Sequence, residues 1–104
     1  MTNLIKIEGE KVHDEKDIYE QVGKQMVPNG TEYDKNMDSF NDILSGAFKD
    51  TKGDDDEKIA IVWQHAEDSQ RSLGEEKFQE VLKAIREHGP EGKKSQDKVR
   101  LHLA

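Results

Sequence analysis

Ile59-Ala60-Ile61-Val62-Trp63 is the longest uninterrupted apolar run in the chain. Its lack of polar alternation predicts a strand buried on both faces, as in a parallel sheet with helices packed against it. The flanking segments supply the rest of such a sheet. Leu4-Ile5-Lys6-Ile7 reads as a first strand closed by the turn residues Glu8-Gly9-Glu10. Val99, Leu101 and Leu103 alternate with polar residues, which predicts a last strand that is half-buried or at an edge.

Helical periodicity fills the intervals. Asp14 is placed to cap a helix, with Glu15 and Asp17 in the first turn, where the helix dipole favours acids. Ile18, Val22 and Met26 then recur every fourth residue until the turn Pro28-Asn29-Gly30. A second helix is expected from a cap at Asp34 or Asn36 to about Phe48, and a loop over Lys52-Gly53-Asp54-Asp55-Asp56. The polar stretch 65–75 suits a short helix. From 75 to 88 the pattern of Phe78, Val81, Leu82 and Ile85 is the clearest helix, stopped by Gly89 and Pro90; residues 91–97 read as a loop. Strand, helices, strand, helix, strand implies an α/β fold: a small three-stranded parallel sheet with packed crossover helices. With 104 residues, the chain is expected to be one domain, 1–104.

Only 32% of residues are apolar and 38% are charged, a balance that leans toward disorder. The periodic grouping of the apolar residues points instead to a folded chain with a small core. There is no Cys, which suits a reducing cytoplasm. The opening residues Met1-Thr2-Asn3-Leu4-Ile5-Lys6 have no long apolar stretch, so neither a signal peptide nor a membrane span is expected. Asn29-Gly30-Thr31 matches a glycosylation acceptor, read as chance in that setting.

The net charge of −7 is uneven. Residues 32–57 hold nine acids (Glu32, Asp34, Asp38, Asp42, Asp50, Asp54, Asp55, Asp56, Glu57) against three lysines (Lys35, Lys49, Lys52), a net of −6. The remainder has 14 acids and 13 bases, a net of −1. Such a patch argues against nucleic acid or an anionic membrane as ligand and favours a basic protein surface. The run 54–57 reads as a solvated loop.

Catalytic readings fail on residue type and spacing. There is no Gly-rich phosphate loop, no Cys nucleophile and no His pair at helical spacing for zinc. Ser69 and Ser72 lack the glycines of a nucleophile elbow. His13, His65, His88 and His102 are scattered and read as surface residues. Asp34, Asn36 and Asp38 match three positions of a calcium loop, but Ser39 stands where the sharp turn needs Gly, and Ser45 where a bidentate Glu belongs. No cofactor or metal is expected, and the chain is read as a binding protein rather than an enzyme.

The second helix is the informative segment. At about 100° per residue, Met37, Phe40, Ile43, Leu44, Ala47 and Phe48 share one side. Asp38, Asp42 and Ser45 project from the other, next to Gly46. Two like charges four residues apart cost a helix roughly 0.2–0.5 kcal/mol, so the pair is either an ordinary solvated face or a preformed anionic site.

Tyr33-Asp34-Lys35-Asn36-Met37-Asp38-Ser39-Phe40-Asn41-Asp42-Ile43-Leu44-Ser45-Gly46 resembles the inhibitory loop and helix of the barstar family, intracellular inhibitors of the secreted bacterial ribonuclease barnase. The family's pattern is Tyr, Gly, any, Asn, Leu, Asp, two more, any, Asp, any, Leu, Thr, Gly. The resemblance extends over residues 4–12, the Ile61-Val62-Trp63 strand and the 81–87 helix. It implies a non-catalytic protein that plugs a ribonuclease active site. By position, Asp42 is implied to take the place of a substrate phosphate. Asp38 is a second acidic contact, Asn36 and Gly46 are contacts at the two helix ends, Glu87 is a peripheral acidic contact and Tyr33 is an aromatic of the binding loop. Ser45 stands where the family has Thr. Glu32 replaces a Tyr of the family, Asp34 replaces the loop Gly, Asn41 and Ala47 replace two Trp, and the acidic loop after Phe48 is longer. These departures bear on which enzyme is bound. The implied partner is a basic secreted ribonuclease, met by a chain that is monomeric when free. The other reading is an acidic, antitoxin-like module for a basic protein that is not a ribonuclease.

Overall fold

The computed structural model describes residues 2–46, 58–90, 92–94 and 98–104. Strand β1 (Thr2–Glu8) passes through a single 3-10 turn (Gly9–Lys11) into helix α1 (Glu15–Met26), followed by α2 (Met37–Leu44). Strand β2 (Lys58–Gln64) leads into α3 (Ala66–Leu73), α4 (Glu75–Glu87) and strand β3 (Val99–Leu103). The three strands form one parallel sheet in the order β1-β2-β3, with Ile5 opposite Ile61 and Ile61 opposite Leu101. The expected α/β class, its three-stranded parallel sheet and its helices are therefore present. The loops expected at 52–56 and, in part, at 91–97 lie outside the described residues, as does the acidic run 54–57.

Parallel register places Ile5, Ile7, Ile59, Ile61, Trp63 and Val99 on one face, and all six are buried. They meet Ile18 and Val22 of α1, Phe40, Ile43 and Leu44 of α2, and Phe78, Val81, Leu82 and Ile85 of α4 in one apolar core. The other face differs from expectation. Ala60 and Val62 are only half-buried, while Leu4, Lys6, Arg100 and His102 beside them are exposed. The central strand is thus buried on one face and not both. It shows no alternation in sequence because the half-covered side also carries apolar residues, small Ala60 between Leu4 and Arg100, and Val62 between Lys6 and His102. Long neighbouring side chains shelter such positions without burying them.

Local chemistry sets the element ends. Asp14 caps α1 by accepting from Asp17 N–H at 3.2 Å, and the Asp17 carboxylate accepts in return from Asp14 N–H at 3.3 Å, a reciprocal capping box. The Pro28 carbonyl accepts from Thr31 N–H at 3.1 Å, closing the expected turn with Gly30 at φ +85°. Inside, Trp63 Nε1–H donates to Ser69 Oγ and Ser69 O–H donates to the Gly9 carbonyl, each at 2.9 Å. Ser69 is fully buried, and this chain satisfies the one polar atom of the Trp63 ring. Among the described residues no helix is long and apolar enough to cross a membrane.

Candidate functional site

Helix α2 is shorter than its apolar periodicity suggests. Asn36, one of the two expected caps, begins it: Oδ1 accepts from Ser39 N–H at 2.8 Å. The helix ends at Leu44, where Ser45 N–H donates to the Asn41 carbonyl and Gly46 N–H to that of Ile43. Gly46 has φ +86°, a left-handed conformation that stops a helix and favours glycine. Apolar periodicity continues through this stop in sequence, and Ala47 and Phe48 lie outside the described residues. Both helix-end residues of the expected site thus have structural work of their own.

One side of α2 is anchored firmly. Phe40, Ile43 and Leu44 are buried, and the Phe40 ring packs 5.0 Å from that of Tyr19 on α1. The opposite side bears Asp38 and Asp42, both exposed, with exposed Ser45 one turn beyond. Among the described residues no Lys, Arg or His forms an ion pair with either aspartate; the recorded pairs all involve other acids. Two carboxylates therefore stand in water on a short helix whose other face is locked into the core.

The segment before α2 is fastened to α1. Tyr33 is half-buried, and its hydroxyl donates to the Glu20 carbonyl at 3.4 Å. Its ring occupies the space above Gly23, where a Cβ would fall 2.4 Å from ring atoms. Lys35 Nζ lies 3.4 Å from Glu20 Oε2, and Lys24 Nζ 3.0 Å from Glu20 Oε1. These two lysines, Lys24 first by hydrogen bonding, hold the Glu20 carboxyl below its ordinary value. Glu32 and Asp34 remain exposed beside a hollow lined by residues 31–35.

Glu87 of α4 is brought to the same region. With Met37 and Asn41 of α2 it lines a groove of about 400 Å³ that also takes in Glu15, Glu80, Lys83 and Ala84. Glu15 and Glu80 were not expected at the site. The spacing of Glu80 and Glu87, seven residues apart on one helix, signals a shared face; nothing in sequence signals Glu15.

The structure overturns one expectation outright. His88 is fully buried, not a surface residue. Its Nε2–H donates to Asn41 Oδ1 at 2.9 Å, and its backbone carbonyl accepts from Val99 N–H at 2.9 Å. The cause lies in the stripe Phe78, Val81, Leu82, Ile85, whose next place along the same face is position 88. His88 thus ties the end of α4 to both α2 and β3, and Asn41 supplies the polar partner that a buried imidazole requires. His13, His65 and His102 are exposed as expected.

Chemically, the face offers carboxylates and a rigid support. Among the described residues no group of three His, Asp or Glu side chains is arranged to hold a metal ion. A family model described as Barstar (barnase inhibitor) matches residues 2–104 of this chain. Comparison with curated proteins gives no match.

Proposed function

The chain belongs to the barstar family, and from that premise we propose that it is a non-catalytic immunity protein inhibiting a basic microbial ribonuclease. In this reading residues 1–104 act as one cytoplasmic domain, monomeric until it meets the enzyme. Asp42 takes the place of a substrate phosphate, since Arg, Lys and His side chains that hold a phosphate also hold a carboxylate. Asp38 adds a second acidic contact and Glu87 a peripheral one. Asn36, Tyr33, Ser45 and Gly46 shape and border the contact. The observation that carries the reading is the exposed Asp38–Asp42 pair, without internal ion-pair partners among the described residues, on a helix anchored by Phe40, Ile43 and Leu44. Preformed complementary charge also accelerates encounter between the partners.

The test is calorimetric titration against a panel of basic microbial ribonucleases at two salt concentrations. Binding that weakens as salt rises is expected. Asp42→Ala is expected to cost more than about 2 kcal/mol of binding, as a central charged contact does, with little change in folding. Failure to bind any member of the panel removes the reading. Capture of a basic partner without nuclease activity replaces it with the antitoxin-like module.

A further inference from the structure

The two outer edges of the sheet are treated differently. On β1 the outward backbone groups include those of Lys6 and Glu8, and two side chains of α1 satisfy these two residues; Leu4, further back on the same edge, has no such side chain among the described residues. Gln25 Oε1 accepts from Lys6 N–H at 3.0 Å and Gln25 Nε2 donates to the Lys6 carbonyl at 2.7 Å. Gln21 does the same for Glu8, at 2.6 Å and 3.2 Å. Two primary amides, one helical turn apart, thus imitate a neighbouring strand.

On β3 the donation of Ala104 N–H to the Trp63 carbonyl at 2.9 Å marks Arg100 and His102 as the residues whose backbone faces β2. Val99, Leu101 and Leu103 therefore face outward. The Val99 N–H is taken by the His88 carbonyl. Among the described residues no side chain does for Leu101 and Leu103 what the glutamines do for β1. Beside this edge runs a groove of about 340 Å³ between β3 and the end of α4, with Ile85, Gly89 and Leu101 along it and Arg86 and Arg100 as its charged lining. An open strand edge beside a groove with both apolar and basic lining is an arrangement that can receive an extended peptide as an added strand.

Charge selects the occupant. The two charged residues that line the groove, Arg86 and Arg100, are both basic, and β3 itself carries no acid, in a chain of net charge −7. A second copy of this chain would bring a β3 edge that carries no acid, so it has no carboxylate on that strand to meet Arg86 and Arg100. We propose that the β3 edge is a strand-addition site for an extended acidic segment of a partner protein. Backbone groups of Leu101 and Leu103 pair with the segment, an apolar side chain enters the groove, and its carboxylates meet Arg86 and Arg100. No residue of α2 lines this groove, so the site is separate from the proposed inhibitory face and stands or falls independently of it.

The test is an NMR titration of the full 15N-labelled chain with a blocked seven-residue peptide alternating glutamate and valine. Leu101 and Leu103 amides are expected to shift and gain protection from hydrogen exchange, with Asp38 and Asp42 unmoved. A lysine-valine peptide, and the glutamate peptide against the Arg86→Glu/Arg100→Glu variant, are each expected to bind about tenfold more weakly or worse. The variant's retained amide dispersion shows that it still folds. Methylating alternate peptide nitrogens is expected to remove binding. The proposal is overturned by saturable shifts that map elsewhere, by no saturable shift at millimolar peptide, or by equal affinity for the lysine peptide. Sedimentation showing that the free chain dimerises through β3 overturns it too, since a second copy is then the occupant.

Discussion

Gly23 is where a single missing side chain decides the placement of the loop before α2. Any Cβ there meets the Tyr33 ring at 2.4 Å, too close for the ring to stay. Gly23→Ala is expected to push Tyr33 off α1 and destabilise the fold by about 1–3 kcal/mol, the usual range for overpacking. Denaturant unfolding measures the loss, and Tyr33 ring resonances report the displacement; unchanged resonances would mean that the ring does not set the loop. Sequence marked Tyr33 only through the family resemblance, because the partner of an aromatic across ten residues is not a local property. Asp38 and Asp42 were legible for the opposite reason: 3.6-residue periodicity gives the direction of a side chain once the apolar face is known. His88 falls on that same face, but its polar ring signals solvent in sequence, and the partner that lets it be buried, Asn41, lies 47 positions away.

Helix α2 spans eight residues, so its ends matter in proportion. Asn36 satisfies one of the orphan N–H groups of the first turn, and Asn36→Ala is expected to cost about 0.5–2 kcal/mol. Asn36→Asp should recover most of that loss in denaturant unfolding, because Asp caps as well as Asn; equal losses in the two variants would leave the cap without an energetic role. The start of the helix could be narrowed to two residues from sequence, whereas its end could not, because apolar residues continue past the left-handed Gly46. The loop leading into α2 has its own electrostatic anchor at Glu20. Its carboxyl is held below the ordinary 4.5, first by hydrogen bonding to Lys24 and then by Lys35. A depressed carboxyl contributes its stabilisation above the unfolded value and loses it as pH falls through the folded one. The Lys35 anchor is therefore expected to persist at neutral pH and fade only below about 4.5. Carboxyl NMR of Glu20 gives the midpoint directly, and a midpoint at or above the ordinary value contradicts the anchor.

Across the whole molecule, the parallel sheet was readable because three short apolar segments were separated by helical periodicities, which leaves crossover connections as the economical solution. Strand order and the one-sided burial of β2 were not readable: Ala60 and Val62 are apolar yet lie on the less covered face, so hydropathy alone could not separate the two sides. Nor could any local pattern show that Gln21 and Gln25, ordinary polar residues on the outer turns of α1, serve the edge of β1. Their role follows from geometry. An unpaired strand edge is a template for association with another chain, and covering it suppresses that route. Gln21→Ala/Gln25→Ala uncovers the N–H and carbonyl groups of both Lys6 and Glu8 while leaving the helix former alanine in α1. The double variant is expected to stay folded and to self-associate more strongly than the parent chain as concentration rises. Sedimentation velocity over a hundredfold concentration range separates the two. Association should be weaker when Lys6 is retained than in a triple variant carrying Lys6→Val, because a charged side chain on an edge strand opposes pairing on its own; a double variant that stays monomeric throughout would show that the glutamines are not what keeps this edge closed.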